Sequence, residues 1–319
     1  MAKVFITGAS GFIGRALADR LTADGHEVRG VDLRADPARG VVAGDIGAPG
    51  PWQDEVAGSD WVVHTAALVS NCPDLGTAWR VNALGTRMVL DEAKGCARFV
   101  HVSSVRVFSD LGFPDGVTEE HPVRPDGNPY VDTRVASEQV VLQAHAAGQV
   151  PVTVVRPGDV YGPGSRPWTV LPVAMIKANR FVLPAMGKGV FSPVHIDDLV
   201  DGVLLAAASP RAAGQVFTLS GGVGVPCAEF FGHYCAMLGK RGPVVAPTPV
   251  ALALARAVAA AARSRGAATE ANPTAVRYLC RKGTYSIDKA RGVLGYRPRV
   301  DLAEGMARLR PWLAERGML

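Results

Sequence analysis

A chain of 319 residues, 48% hydrophobic and 20% charged, is long enough to bury a large core and suggests one large domain or two lobes. Its net charge of +5 does not indicate nucleic-acid binding, because the basic residues are scattered and not interleaved with aromatic side chains. Five separated cysteines without a C-x-x-C pair, no signal-peptide pattern and no apolar run of spanning length lead us to expect a reduced, cytoplasmic protein with no zinc site and no membrane-spanning segment.

Apolar runs alternate with helical patterns through the first half of the chain. Several of these runs are continuously apolar, which is typical of strands buried on both faces of a parallel sheet. The alternation predicts an α/β fold with a doubly wound parallel sheet. The predicted strands are Lys3–Thr7, Glu27–Leu33, Val41–Asp45, Trp61–Ala66, Phe99–Ser104 and Val152–Arg156, and the predicted helices are Phe12–Ala23, Thr77–Lys94 and Pro129–Ala147.

The rhythm changes after about Pro163, where short strands mix with helices. We predict a smaller C-terminal lobe packed on the first, with the cleft between them as the binding site. Its alanine-rich stretch, Pro249–Gly266, is apolar nearly all round and suits an oily pocket, a lid, a membrane-surface contact or simply lobe core. The other predicted elements here are the strands Val190–Val194 and Gln215–Leu219 and the helices Ile196–Ala208 and Cys227–Leu238.

The segment TGASGFIG joins the first predicted strand to the first helix and places glycines at positions 8, 11 and 14. Gly8, Gly11 and Gly14 allow a tight turn and let a pyrophosphate approach the backbone at the positive end of a helix. At the end of the second strand, Asp32 can accept hydrogen bonds from an adenosine ribose and would repel a 2′-phosphate, although Arg34 could soften that preference. Asp45, after the third strand, is either an adenine contact or a turn residue.

The stretch NPYVDTR predicts a reactive tyrosine. Asn128 can cap a helix and Pro129 suits its first position, so Tyr130 lies in the first turn with Arg134 four residues on, on the same face. A cation roughly 5 Å from the phenol favours its ionised form by about 3 kcal/mol at an effective dielectric constant of 20. Ser104, after the fifth strand, faces the crevice where such sheets bind ligands and can hold the same substrate oxygen.

These motifs, with VDL, GDI, VVHTAA, VNALGT, VRPGDVYGPG, FSPVHIDDLVDG and SIDKARGVLGY, come in the order seen in extended short-chain dehydrogenases/reductases, which the chain resembles over nearly its whole length. The resemblance implies a Rossmann domain, residues 1–165 with 194–221 returning to it, and a substrate-binding lobe, residues 166–193 and 222–319. It also implies NAD as cofactor, a small-molecule substrate, and a homodimer built on Thr77–Lys94 and Pro129–Ala147. The implied catalytic residues are Ser104, Tyr130 and Arg134. The cofactor contacts are Gly8, Gly11, Phe12, Ile13, Gly14, Asp32, Asp45, Ile46, Ala66, Asn82, Tyr130, Arg134 and Pro157.

One position departs from the family pattern, since Arg134 stands where the family has lysine. Arginine keeps the charge but is bulkier and planar. Three interpretations follow: the protein is still catalytic, it binds NAD but reacts poorly, or this stretch is wrongly aligned with the family's tyrosine motif.

The reaction type is narrowed by the residues after Ser104. A sugar 4,6-dehydratase needs an acid pair there, and this chain has Val105 and Arg106. The C-terminal lobe resembles the branch with 3β-hydroxysteroid dehydrogenases and 3-hydroxy acyl reductases, which predicts an NAD-dependent oxidoreductase acting on a hydrophobic alcohol or ketone. A sugar-nucleotide epimerase and an NAD(H)-binding regulator remain alternatives. An epimerase would use cations to bind the substrate diphosphate, and the candidates are Arg166, Lys177, Lys188 and Arg277.

No metal-ligand spacing links His64, His101 and His195, which are expected to be core or strand-end residues.

Overall fold

The computed structural model describes residues 1–109 and 114–319. Its strands and helices follow in chain order. They are β1 (Lys3–Thr7), α1 (Phe12–Ala23), β2 (Glu27–Asp32), β3 (Val41–Ala43), β4 (Trp61–His64), α2 (Leu75–Trp79), α3 (Gly85–Glu92), β5 (Arg98–Val102), α4 (Pro129–Ala146), β6 (Val152–Pro157), β7 (Asp159–Tyr161), α5 (Leu171–Lys177), β8 (Val182–Leu183), β9 (Val190–Phe191), β10 (Pro193–His195), α6 (Ile196–Ala208), β11 (Gln215–Leu219), β12 (Val225–Pro226), α7 (Cys227–Met237), β13 (Val244–Val245), α8 (Thr248–Arg263), α9 (Pro273–Tyr278), α10 (Asp288–Leu294) and α11 (Leu302–Glu315).

A seven-stranded parallel sheet, in the order β3-β2-β1-β4-β5-β6-β11, forms the centre of the molecule. The predicted doubly wound α/β fold is confirmed. The strand order reverses between β1 and β4, and ligands of such sheets bind beyond the carboxyl ends of the strands at this reversal. The glycine-rich turn after β1 lies at that point.

Helices cover both faces of the sheet, so the side chains on both faces are apolar. Phe5 and Ile6 are neighbours on β1, so their side chains point to opposite faces, and both are fully buried. Ile6 belongs to a core that includes Leu17 of α1 and Leu199 of α6. Phe5 belongs to a separate core with side chains of α3 and α4. Burial on both faces explains the continuous apolar runs of the sequence.

A third core lies in the C-terminal part of the chain. Its aromatic centre is Phe191, Phe230, Phe231 and Tyr234, packed against α11 through residues such as Leu309. Strand β11, by contrast, pairs with β6 and completes the main sheet. The exact lobe boundaries given above stay a prediction.

Three predicted elements differ from the structure in more than the position of their ends. The helix predicted over Thr77–Lys94 begins at Leu75 and is divided by a π-helical turn at Arg80–Leu84, which turns Asn82 inward. The strand predicted over Val190–Val194 is two short strands, β9 and β10. The stretch Pro249–Gly266 forms α8, which buries alanines and exposes larger apolar side chains, so it is not lobe core throughout.

Candidate active site

The glycine-rich turn is shaped by close approaches of backbone to backbone. Gly8 has φ +70° and donates its N–H to the carbonyl of Val31 at 2.8 Å, and a Cβ at Gly8 would lie 2.9 Å from the backbone of Ala66. A Cβ at Gly14 would lie 2.1 Å from the carbonyl oxygen of Gly8. Helix α1 starts at Phe12 after Gly11, which has no side chain to cap it. The first helical N–H groups therefore suit an anionic ligand, and this cradle fits the pyrophosphate of a dinucleotide.

Asp32, at the end of β2, is anchored by backbone donors. Its Oδ2 accepts from the N–H of Ser10 at 3.0 Å and its Oδ1 accepts from the N–H of Leu33 at 2.7 Å. Each carboxylate oxygen has a second lone pair, so the group can still accept from ribose hydroxyls. The structure thus holds Asp32 beside the glycine-rich turn, where the sequence predicted it.

Asp45 lies in the turn after β3 and not within the strand. Its Oδ1 accepts from the N–H of Gly47 at 2.8 Å and its Oδ2 from Nη1 of Arg80 at 2.7 Å. Partial burial opposes ionisation, but the hydrogen bonds from Arg80 and Gly47 outweigh it and lower the pKa of Asp45. The neighbouring Ile46 is buried. The adenine-side roles of Asp45 and Ile46 stay predictions.

Asn82 is fully buried and joins two parts of the predicted cofactor groove. Its Oδ1 accepts from the N–H of Leu68 at 2.7 Å, and its Nδ2 donates to Oγ1 of Thr133 on α4 at 2.9 Å. Ala66 donates its N–H to Oγ1 of Thr7 at 3.2 Å. Asn82 therefore fixes the segment after β4 against α4, and its direct contact with a cofactor stays a prediction.

Helix α4 carries the tyrosine motif as the sequence predicted. Asn128 caps it by accepting from the N–H of Tyr130 at 3.0 Å, and Pro129 occupies the first position. Tyr130, Arg134 and Glu138, spaced by four, lie on one buried face.

Arg134 is buried, with 1% of its surface exposed. Its Nη2 donates to the carbonyl of Val102 at the end of β5, whereas Nε and Nη1 find no acceptor among the described residues. Burial lowers the pKa of Arg134, and the opposing influence of Tyr130 and Glu138 partly offsets this. Arginine stays charged in proteins. Two buried donors that lack an acceptor fit a ligand that brings hydroxyl oxygens, such as the ribose of a dinucleotide.

The two serines after β5 have different surroundings. Oγ of Ser103 donates to Oε1 of Glu138 at 2.5 Å, and Glu138 forms a buried ion pair with Arg156, whose Nη2 lies 2.6 Å from Oε2. Oγ of Ser104 accepts from the N–H of Arg106 at 3.2 Å, so its own proton is available to another acceptor. Ser104, and not Ser103, is therefore the serine able to hold a substrate oxygen.

Arg106 is a site residue to which the sequence analysis assigned no positive role. Its guanidinium carbon lies 5.3 Å from the ring centre of Tyr130 and 4.8 Å from that of Tyr278, and Nη1 donates to Oδ1 of Asn71 at 3.0 Å. Its backbone N–H holds Ser104. Arg106 thus contacts Ser104 and Tyr130, two of the three predicted catalytic residues, and also Tyr278 of α9.

Tyr278, at the end of α9, closes the other side of Arg106. Its hydroxyl donates to Oδ1 of Asp159, which also pairs with Arg281 at 3.1 Å. The ring stacks on Trp168 with 5.4 Å between centres. Burial raises the pKa of Tyr278, so this phenol stays protonated and does not exchange protons near neutral pH.

The segment after β4 is tied to the C-terminal lobe. Glu270 accepts from Oγ of Ser70 at 2.7 Å and from the N–H of Asn71 at 2.8 Å, and Nδ2 of Asn272 donates to the carbonyl of Asn71 at 3.2 Å. These bonds lie beside Arg106 and hold the two parts of the chain together over the predicted cleft.

His64, His101 and His195 are buried, as expected for core or strand-end residues. His64 lies between Oγ1 of Thr7 at 2.7 Å and Oγ1 of Thr86 at 2.9 Å, and burial, together with the charge of Arg134, lowers its pKa to about 3. His101 stacks on His64.

Pro157 is buried at the end of β6, paired with Leu219, and its contact with a nicotinamide stays a prediction. Among the described residues no group of three or more His, Cys, Asp or Glu could hold a metal ion.

The sequence model of the NAD dependent epimerase/dehydratase family matches residues 4–219. This chain belongs to that family. Two curated relatives span nearly the whole of this epimerase/dehydratase-family chain. A "4-hydroxy-2-methyl-3-oxo-4-farnesyl-3,4-dihydroquinoline-1-oxide ketoreductase" of Stigmatella aurantiaca is 32% identical over 97% of this chain and 96% of its own. A dTDP-glucose 4,6-dehydratase of Streptomyces antibioticus is 30% identical over 97% and 92%.

Among solved structures, "MoeE5 in complex with UDP-glucose and NAD" is 26% identical, covers 99% of this chain and 100% of its own, and has a TM-score of 0.79. The family is NAD-dependent, so NAD is the cofactor of this enzyme, and the resemblance to extended short-chain dehydrogenases/reductases is confirmed. Its relatives include a ketoreductase and a dehydratase, which leaves the substrate open. Within the described residues, no helix combines the length and the apolar character needed to cross a membrane.

Proposed function

We propose that this protein is an NAD-dependent oxidoreductase that interconverts a ketone and a secondary alcohol on a lipophilic substrate of the 3β-hydroxysteroid or 3-hydroxy acyl type. The observation that carries the proposal is the position of Arg106, which holds Ser104 through its backbone and covers the ring of Tyr130 with its side chain. A serine and a tyrosine joined in this way can address one substrate oxygen.

Each residue has a separate chemical task in the proposed reduction. When bound at the glycine-rich turn, NADH would supply the hydride for the carbonyl carbon. Tyr130 gives its phenolic proton to the carbonyl oxygen, Ser104 donates a hydrogen bond to the same oxygen, and the charge of Arg134 stabilises the phenolate that remains. Solvent then returns the proton to Tyr130, so reduction consumes one hydride and one proton.

The surroundings of Tyr130 favour a lipophilic ketone that carries a second oxygen. Tyr278 and Trp168 form an aromatic wall, and Arg106 supplies donors beside the reacting centre. The relative from Stigmatella is named for a farnesyl compound with a hydroxyl next to its 3-oxo group. A dehydratase is disfavoured because Val105 and Arg106 stand where the acid pair is needed.

A sugar-nucleotide epimerase is the second candidate, and the likeness to MoeE5 with UDP-glucose favours it. It requires cations for the substrate diphosphate. Arg166, Lys177, Lys188 and Arg277 are all exposed, and Lys177 donates to the carbonyls of Gly317 and Met318 at 3.1 and 3.4 Å, respectively. A third candidate, an NAD(H)-binding regulator with little turnover, rests on Arg134, which stands where the family has lysine.

The deciding experiment follows NADH oxidation with 3-oxo acyl compounds and oxosteroids, and follows UDP- and dTDP-sugars by product analysis, because epimerisation consumes no net NADH. Reduction of lipophilic ketones supports the proposal, whereas interconversion of sugar nucleotides without it transfers the assignment to the epimerase. Arg106→Leu is expected to lower kcat/KM at least tenfold for ketones with a second oxygen and much less for simple ketones. Equal losses for both would mean that Arg106 only maintains the fold of the cleft.

We also propose the two-lobe division, the homodimer and the cytoplasmic location. Leu75 and Trp79 on α2 are exposed apolar side chains on the predicted dimer face, and α2 packs beside α4. Light scattering that gives a monomer mass at micromolar concentration would rule the dimer out. All five cysteines are free, as in a reducing compartment.

A further inference from the structure

Helix α8 turns a row of large apolar side chains to the outside. It packs through Ala251, Ala255 and Ala259, which are buried. On the outer face Val250, Leu254 and Val258 are 50%, 51% and 47% exposed, respectively. The spacing of four residues places them in one continuous stripe along the helix. Alanines on the inner face let α8 lie close to the molecule while its bulky side chains stay outside.

The stripe continues on the strand before α8. Val244 and Val245 of β13 are exposed, and so is Met186. Met186 lies next to this strand, since its N–H donates to the carbonyl of Ala246 at 3.0 Å. We call the surface formed by these six side chains the α8 surface; it comprises Met186, Val244, Val245, Val250, Leu254 and Val258. Single exposed apolar side chains are ordinary, but a contiguous group of them indicates a surface that contacts a membrane or another molecule.

The charged residues of the chain segment that carries most of the α8 surface have one sign. Residues 230–269 contain five Lys and Arg and no Asp or Glu, although the whole chain carries 29 acidic residues. Arg256, Arg263 and Arg265 are exposed, and no ion pair within residues 1–109 and 114–319 involves them. An apolar stripe flanked by arginines and without carboxylates is complementary to a partner that has negative charges on its surface and an apolar interior.

We propose that the α8 surface docks on an anionic phospholipid surface. The apolar stripe would enter the boundary between head groups and acyl chains, and the arginines would pair with lipid phosphates. Docking of this kind needs no spanning segment, in keeping with the described helices. Helix α8 packs on α9, which carries Tyr278 into the site, so the surface adjoins the element that covers the cleft. The inference is independent of which reaction the site performs.

Vesicle flotation tests the proposal on the full chain. Vesicles of phosphatidylcholine with roughly one third phosphatidylglycerol are compared with pure phosphatidylcholine. We expect binding to the anionic vesicles, at least tenfold weaker binding to the neutral ones, and release in high salt. Leu254→Glu should lower binding at least tenfold, and replacing Arg256, Arg263 and Arg265 by Gln should do the same.

The matched control is Leu205→Glu, because Leu205 is a 37% exposed leucine on α6, away from the α8 surface. It should bind vesicles like the parent. Val258→Gln is a milder second variant if Leu254→Glu fails to fold, which circular dichroism and NADH binding will reveal. The proposal is wrong if the unsubstituted protein does not bind anionic vesicles. It is also wrong if Leu205→Glu loses as much vesicle binding as Leu254→Glu. A lower mass of Leu254→Glu in light scattering, without vesicle binding by the parent, would instead identify the surface as a contact between copies of this chain.

Discussion

Gly14→Ala tests whether the glycine-rich turn holds the cofactor. The added Cβ would lie 2.1 Å from the carbonyl oxygen of Gly8, 2.9 Å from its carbon and 3.0 Å from Cα of Ala9. Ordinary C···O contacts are about 3.3 Å, so the Gly8 carbonyl must move by roughly 1 Å. All three obstructing atoms are backbone, and no side-chain rotation can relieve the clash. The hydrogen bond from Gly11 to the Gly8 carbonyl, 3.0 Å, would be lost.

Two energies set the expected size of the effect. Overpacking lowers the free energy of unfolding by about 1–3 kcal/mol, whereas replacing a helical glycine by alanine raises it by about 1 kcal/mol. We therefore expect a loss of about 0–2 kcal/mol in the free energy of unfolding. Because the turn that would approach the pyrophosphate is displaced, the dissociation constant for NADH should rise at least tenfold, equivalent to about 1.4 kcal/mol.

Urea unfolding and NADH fluorescence titration measure the two effects. The matched control is Gly232→Ala, since Gly232 lies within α7 and a Cβ there meets no atom within 4 Å. It should bind NADH normally and gain up to about 1 kcal/mol of stability. Gly11→Ala, whose Cβ would lie 3.0 Å from the Gly8 carbonyl, should give an intermediate result. An NADH affinity of Gly14→Ala within twofold of the parent would refute the reasoning.

Tyr130→Phe removes the transferable proton, so turnover should fall at least about a hundredfold while NADH still binds; undiminished turnover would exclude Tyr130 as the proton donor. Asp32→Ala removes repulsion of a 2′-phosphate and should narrow the preference for NADH over NADPH in fluorescence titration; tighter NADPH binding by the parent would contradict the assignment. Arg134→Ala should weaken both turnover and NADH binding, whereas Arg134→Lys keeps the charge and should retain or raise activity. Glu138→Gln leaves Arg156 buried without its counter-charge and should cost about 3–5 kcal/mol in urea unfolding, against less than about 1 kcal/mol for the exposed Glu304→Gln.

The fold was predictable because its signals are local in the sequence. The runs around Phe5 and Ile6 are apolar at every position, which only a strand buried on both faces requires. The π-helical turn at Arg80–Leu84 was not predictable, since it depends on Asn82 finding partners on two distant segments. Residue spacing identifies the face of a helix but not the tertiary contacts that interrupt it.

The roles of the candidate site residues stay predictions; of their geometry, the helical spacing was predictable and the tertiary contacts were not. The spacing of Tyr130 and Arg134 follows from helical periodicity, but the donation from Arg134 to Val102 depends on how α4 packs against β5. Arg106 was missed because its direction is set by a short 3-10 turn that Ser104 caps, and by Tyr278, which is far away in the sequence. For α8, composition indicated an apolar helix, and only packing shows which side faces outward.

The bonds from Glu270 and Asn272 to Ser70 and Asn71 have a kinetic consequence. We expect the substrate to enter beside Arg106, which would separate these segments and break three hydrogen bonds together, worth about 1 kcal/mol each. The separated form then makes up roughly one molecule in a hundred or fewer. Exchange of ligands would be slower than diffusion by that factor, and product release is a natural candidate for the slowest step of the cycle. Glu270→Gln would weaken the closure, and a faster steady-state rate with an unchanged single-turnover rate would be its signature.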